Sequence, residues 1–76
     1  MTYCKKLYEL RTKNKLTQEE VANILNTTKQ AYNRYENGKR KLNIEDLTKL
    51  SIFYNVTTDY ILGLTTYTNT NEINFK

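Results

Sequence analysis

Apolar residues recur at helical spacing in five short stretches, each bounded by residues that stop or start a helix. In the first stretch Tyr3, Leu7 and Leu10 fall on one face, with Lys5, Lys6, Glu9, Arg11 and Lys13 on the others. Asn14-Lys15 breaks the pattern, and Thr17-Gln18-Glu19-Glu20 restarts it as a capping box. There the Thr17 hydroxyl can accept from the amide of Glu20, whose carboxylate can reach back to the amide of Thr17. Val21, Ala22 and Leu25 give the second helix a single apolar face. Asn26 tolerates the left-handed conformation better than most residues. Thr27 or Thr28 can then cap a third helix, with Thr28 preferred.

Over Lys29 to Glu36 the apolar positions are Ala31, Tyr32 and Tyr35, while Lys29, Gln30, Asn33 and Arg34 share the opposite side. Asn37-Gly38 ends this helix, Gly38 being suited to positive φ. A basic loop, Lys39-Arg40-Lys41, leads to Asn43 as cap of a fourth helix carrying Ile44, Leu47, Leu50 and Tyr54, which Asn55 stops. Thr57 caps a short fifth helix with Tyr60, Ile61 and Leu62, closed by Gly63. The pattern therefore predicts an all-α chain with one helical domain over residues 1–64 and a C-terminal tail over 65–76. In the tail Tyr67, Ile73 and Phe75 stand at odd positions, the alternation of a strand with one apolar side. Its Thr content suits a strand and its Asn content does not, so the tail reads as a strand or as disorder.

Composition narrows the chemistry. With 76 residues the chain has room for one small core and a thin stability margin. It has no His, no Pro and one Cys, which leaves no ligand set for structural zinc and no disulfide within one chain. Cys4 reads as a packing residue. A hydrolase or nuclease would lack both the usual general base near neutral pH and a nucleophile–base pair, so no enzyme is expected. No apolar run approaches a membrane span, and MTYCKKLYELR has no signal-peptide core. A cytoplasmic protein is expected, and the triplets Asn26-Thr27-Thr28 and Asn55-Val56-Thr57 are read as chance matches to a glycosylation motif.

The net charge of +4 is unevenly spread: residues 1–41 carry ten Lys/Arg against four Asp/Glu, and residues 42–76 two against four. Positive charge concentrated in the first half marks a face for a polyanion. The second and third helices then acquire a meaning. Two short helices joined by a tight turn let the first brace across a DNA backbone while the second lies in the major groove. That arrangement needs a small residue where the helices touch, which Ala22 supplies, and long donors and acceptors on the exposed side of the second. Lys29, Gln30, Asn33 and Arg34 meet that need.

The run from Leu10 to Gly63 resembles the phage Cro and repressor family of helix-turn-helix domains, the XRE family. LTQEEVA, RYENGKRK and NVTTDYILG carry the resemblance, in order and at the family's spacing over about five-sevenths of the chain. The resemblance implies a five-helix, lambda repressor-like globule that binds palindromic operators as a dimer. By position it implies that Lys29, Gln30 and Arg34 read bases, with Asn33 beside them. Gln18 matches a glutamine that bonds an operator phosphate, and Thr28, Asn37 and Lys39 match backbone-contacting positions. Thr17 at the same helix start joins them, and Arg40 and Lys41 are added on charge alone. Arg11 and Glu36 match a pair that forms an internal salt bridge. Glycines usual before the third and fifth helices are Asn26 and Asn55 here, and Leu42 stands where a proline often follows the basic loop. Tyr32 replaces a commoner Ile or Val, as a core residue or one leaning into the groove.

The expected function is a sequence-specific transcriptional regulator, a repressor occupying a double-stranded DNA operator as a homodimer. Ile52 and Phe53, off the main apolar stripe of the fourth helix, are the expected dimer contact. No cofactor, small-molecule ligand or membrane association is expected. The alternative is an antitoxin-like interaction protein whose main partner is a toxin.

Overall fold

The computed structural model describes residues 2–66, and the alternation at Tyr67, Ile73 and Phe75 lies outside them. Among the described residues there are five α-helices: α1 (Thr2–Lys13), α2 (Gln18–Ile24), α3 (Lys29–Glu36), α4 (Ile44–Tyr54) and α5 (Thr58–Leu62). Each of the last four starts on a polar cap in extended conformation whose side chain accepts from an amide three residues on: Thr17 from Glu20, Thr28 from Ala31, Asn43 from Asp46 and Thr57 from Tyr60. At Thr17 the reciprocal bond also forms, its amide donating to Glu20 Oε1 at 2.8 Å, which completes the capping box.

All five helices end alike, on a residue with positive φ: Lys15, Asn26, Gly38, Asn55 and Gly63. In each case the next amide reaches back five residues, as Thr27 does to the Ala22 carbonyl at 2.9 Å and Lys39 to that of Arg34 at 2.9 Å. This is the Schellman closure, which satisfies carbonyls that would otherwise end without a partner. Asn is the side chain that best tolerates the left-handed region after Gly, which is why Asn26 and Asn55 serve. At Gly38 a Cβ would meet only Cys4 Sγ at 3.6 Å, an ordinary contact, so its φ of +72° and not lack of space favours glycine there.

The core gathers one face of every helix. Leu7 and Leu10 of α1, Val21 and Ala22 of α2 with Leu25 behind them, Tyr32 and Tyr35 of α3, Leu50 of α4 and Ile61 of α5 form one buried cluster. Tyr32 is wholly buried, so it belongs to the core and does not lean outward. Its ring meets that of Tyr35 edge to face at 6.4 Å. Ile44 departs from the expected pattern. As the first residue of α4 it precedes the turn that meets the core, and it is 81% exposed. The apolar stripe of α4 begins at Leu47 instead. Burying Ala22 and Ala31 lets α2 and α3 approach closely, which turns the outer side of α3 to solvent beside the start of α2.

Candidate nucleic-acid interface

The outer side of α3 and the first residue of α2 enclose an open groove of about 370 Å³, lined by Gln18, Lys29, Gln30, Asn33, Arg34 and Lys39. Three cations and three carboxamides line it, and no carboxylate does. Lys29, Gln30, Arg34 and Lys39 are exposed, whereas Gln18 and Asn33 are half-buried at its floor. Thr17 lies in the adjoining hollow with Gln18 and Lys29. Six of the residues singled out from the sequence are thus brought together. Thr28 is occupied by capping α3.

The floor is held from below. Arg11 of α1 donates to Glu36 of α3 through Nε to Oε2 at 2.7 Å and through Nη2 to Oε1 at 3.1 Å. The two side chains are 14% and 5% exposed, so this is a largely desolvated, bidentate pair. Arg11 Nη1 also donates to the Leu16 carbonyl, fixing the α1–α2 turn that delivers Thr17 and Gln18. Burial works to raise the Glu36 carboxyl, but Arg11, with the neighbouring Tyr32 hydroxyl and Gln18, outweighs it and holds the group below the usual carboxylate range. Glu36 Oε1 accepts from Gln18 Nε2 at 3.2 Å, Gln18 Oε1 from Asn33 Nδ2 at 3.0 Å, and Asn33 Oδ1 from Asn37 Nδ2 at 2.8 Å.

The basic loop is anchored on its other side by Tyr3, Tyr35, Asn43 and Asp46. The Tyr3 hydroxyl accepts from the Leu42 amide at 3.0 Å and donates to the Arg40 carbonyl at 3.5 Å. Leu42 stands where the resemblance implies a proline, and it uses the N–H that a proline would lack. Asn43 Nδ2 donates to the Tyr35 hydroxyl, which donates to Asp46 Oδ2. The signal for this clamp was available: a buried tyrosine hydroxyl needs a partner, and Asp46 stands one turn past the Asn43 cap. Arg40 and Lys41 do not line the groove; the Arg40 guanidinium lies over the Tyr35 ring at 5.5 Å and Lys41 is exposed. Ile52 and Phe53 sit on α4 at 76% and 44% exposure, and no α4 residue lines the groove.

No helix among the described residues is long and apolar enough to cross a membrane, and no group of three or more potential metal ligands occurs among them. No solved structure gives a significant match to the chain. Curated relatives do. The chain is 40% identical over 72 residues to the HTH-type transcriptional regulator ImmR of Bacillus subtilis, covering 95% of this chain and 57% of that protein. It is 40% identical over 63 residues to the HTH-type transcriptional activator BcrR of Enterococcus faecalis, covering 83% and 31%. It is 39% identical over 54 residues to the cryptic phage CTXphi transcriptional repressor RstR of Vibrio cholerae, covering 71% and 49%. The chain therefore spans about a third to somewhat over half of the length of these relatives. The helix-turn-helix family model matches residues 7–61, from the middle of α1 to α5. With that match over most of its length and with these relatives, the chain belongs to the XRE family of helix-turn-helix domains, the type found in phage Cro and repressor proteins.

Proposed function

We propose that this chain binds double-stranded DNA sequence-specifically and regulates transcription, as a repressor that occupies a palindromic operator as a dimer. The observation that carries the reading is the groove on α3, where cations and carboxamides converge without a carboxylate. The exposed side of α3 suits a helix laid in a major groove, with Lys29, Gln30 and Arg34 facing base edges. Arg34 pairs bidentately with guanine, Gln30 with adenine, and Lys29 favours guanine. Thr17, Gln18, Thr28, Asn37 and Lys39 flank them toward the backbone, and Arg40 and Lys41 add positive charge at the edge. Ile52 and Phe53, away from the groove, join the two copies. Occupancy alone suffices for repression and asks nothing of the chain beyond the DNA contact, and the likeness to RstR accords with it. The likeness to BcrR makes activation the competing sign.

Selection of duplexes from a random pool tests the reading. A short palindromic consensus is expected, and its binding should weaken steeply with salt. For roughly 6–10 phosphate contacts in the dimer, log K should fall against log salt with a slope of about −5 to −9. A pool that yields no consensus, or a nearly flat salt dependence, would remove DNA as the principal ligand. A reporter placed behind the selected site then gives the sign of regulation.

A further inference from the structure

We infer that Glu36, which lines no part of the groove, is a positioning residue for it: its carboxylate orients three carboxamides in series, Gln18, Asn33 and Asn37. The inference rests on the DNA-binding reading above. An ionised carboxylate only accepts, and both oxygens of Glu36 already accept from Arg11. Gln18 must therefore turn its nitrogen, not its oxygen, toward Glu36, as it does at 3.2 Å. That leaves Gln18 Oε1 facing Asn33, which must answer with its own nitrogen, at 3.0 Å. Asn33 Oδ1 then faces Asn37, which again answers with nitrogen, at 2.8 Å. A carboxamide is close to symmetric in shape, so nothing in packing alone chooses between its two orientations. The choice comes from one buried charge, and it is passed outward from Arg11 through Glu36 to the exposed Asn37.

Each carboxamide nitrogen carries two protons and spends one on the series, so Gln18, Asn33 and Asn37 each keep one N–H for an outside acceptor. A phosphate oxygen attracts that N–H and repels a carbonyl oxygen in the same place. With Glu36 neutral the row is free to reverse, and each place that held a nitrogen then holds an oxygen as readily.

The test is a double-mutant cycle on the duplex that the wild-type chain selects from a random pool. Asn37→Ala should weaken binding about fivefold in the wild-type background, the size of one net hydrogen bond. In a Glu36→Gln background, at a temperature where the variant is folded by circular dichroism, the same change should have almost no effect, because the orientation it depends on is already lost. Gln18→Leu cuts the series at its first link without touching the Arg11–Glu36 pair, so it gives a second cycle in a background that keeps that ion pair. Equal effects of Asn37→Ala in all three backgrounds, or no effect in the first, overturn the inference. The row itself is read without DNA. In the free chain one carboxamide proton of Gln18 and of Asn33 should exchange with solvent more slowly than its partner, and Gln18→Leu, which removes the acceptor of Asn33 Nδ2, should narrow the difference at Asn33. Equal exchange in the wild type means that there is no row, whereas a pool with no consensus overturns the DNA reading instead.

Discussion

The Tyr35 hydroxyl donates to Asp46 Oδ2 at 2.6 Å, which ties the last turn of α3 to the first turn of α4 across the basic loop. Asn43 donates to the same hydroxyl and accepts from the Asp46 amide, so helix cap, tyrosine and carboxylate form one closed clamp. Burial and the Asp46 hydrogen bond push the Tyr35 phenol up to about 12. Burial does the same to Tyr54, also to about 12. A raised value means that the folded chain holds the proton more tightly than the unfolded one. The stability these phenols contribute is therefore fully present below their ordinary value of about 10 and is lost as pH rises toward 12. Tyr35→Phe should cost about 1.5–3 kcal/mol at neutral pH, because it removes a hydrogen bond to the half-buried Asp46 carboxylate. It should also make the alkaline decline shallower. Urea melts at pH 8, 10 and 11 check both, and parallel declines for the two proteins would count against the clamp.

Arg11 and Glu36 give the opposite dependence. Glu36 is held below the usual carboxylate range by its partners despite its burial. Its contribution is present above the ordinary value of about 4.3 and is lost as pH falls through the lower folded one. Because the pair is largely desolvated, removing one partner strands the other charge. Arg11→Met or Glu36→Gln alone should cost about 3–5 kcal/mol, and the double variant less than their sum. Thermal melts of the three variants decide, and small additive effects would mean that the pair contributes little.

Much of this was legible in the sequence, and the exceptions have physical causes. The caps Thr17, Thr28, Asn43 and Thr57 are local signals, since each bonds an amide three residues away. The stops at Asn26, Asn55 and the two glycines are local too. Lys15 in the left-handed region was not legible, because a lysine carries no conformational signal for it. Ile44 was misread because helical spacing says which face a residue is on but not where along the helix the core begins. The groove residues were readable as one side of α3, joined by Gln18 and Lys39 from the family resemblance. The Tyr3–Leu42 contact, 39 residues apart, and the Gln18–Asn33 bond join elements that no local pattern pairs.

Reading and positioning should separate in binding measurements. Gln30→Ala or Arg34→Ala should cost about 1–3 kcal/mol on the selected duplex and relax the preference at particular base pairs. Lys39→Ala should instead weaken all duplexes by a similar factor and lower the salt slope by about 1. Selection profiles repeated with each variant make the comparison. A profile for Arg34→Ala that differs from wild type only in overall affinity would mean that Arg34 contacts the backbone.

Ile52 and Phe53 are neighbours on α4, 76% and 44% exposed, and a small monomer gains nothing by leaving both in water. Two copies reading successive major grooves must hold their α3 helices about 34 Å apart, one turn of DNA. An interface on α4, as proposed above, would leave the groove uncovered, because no α4 residue lines it. Ile44 is also exposed, at 81%, but it stands at the other end of α4, eight residues and about 12 Å from Ile52. Sedimentation of the wild type should therefore give a dimer, that of Ile52→Asp/Phe53→Asp a folded monomer, and that of Ile44→Asp a dimer still. The monomeric variant should bind half-sites singly and lose most of its preference for the full palindrome. If Ile44→Asp dissociates the dimer and the double variant does not, the contact lies at the start of α4, beside the basic loop. The spacing of the half-sites would then have to follow from that end of the helix instead.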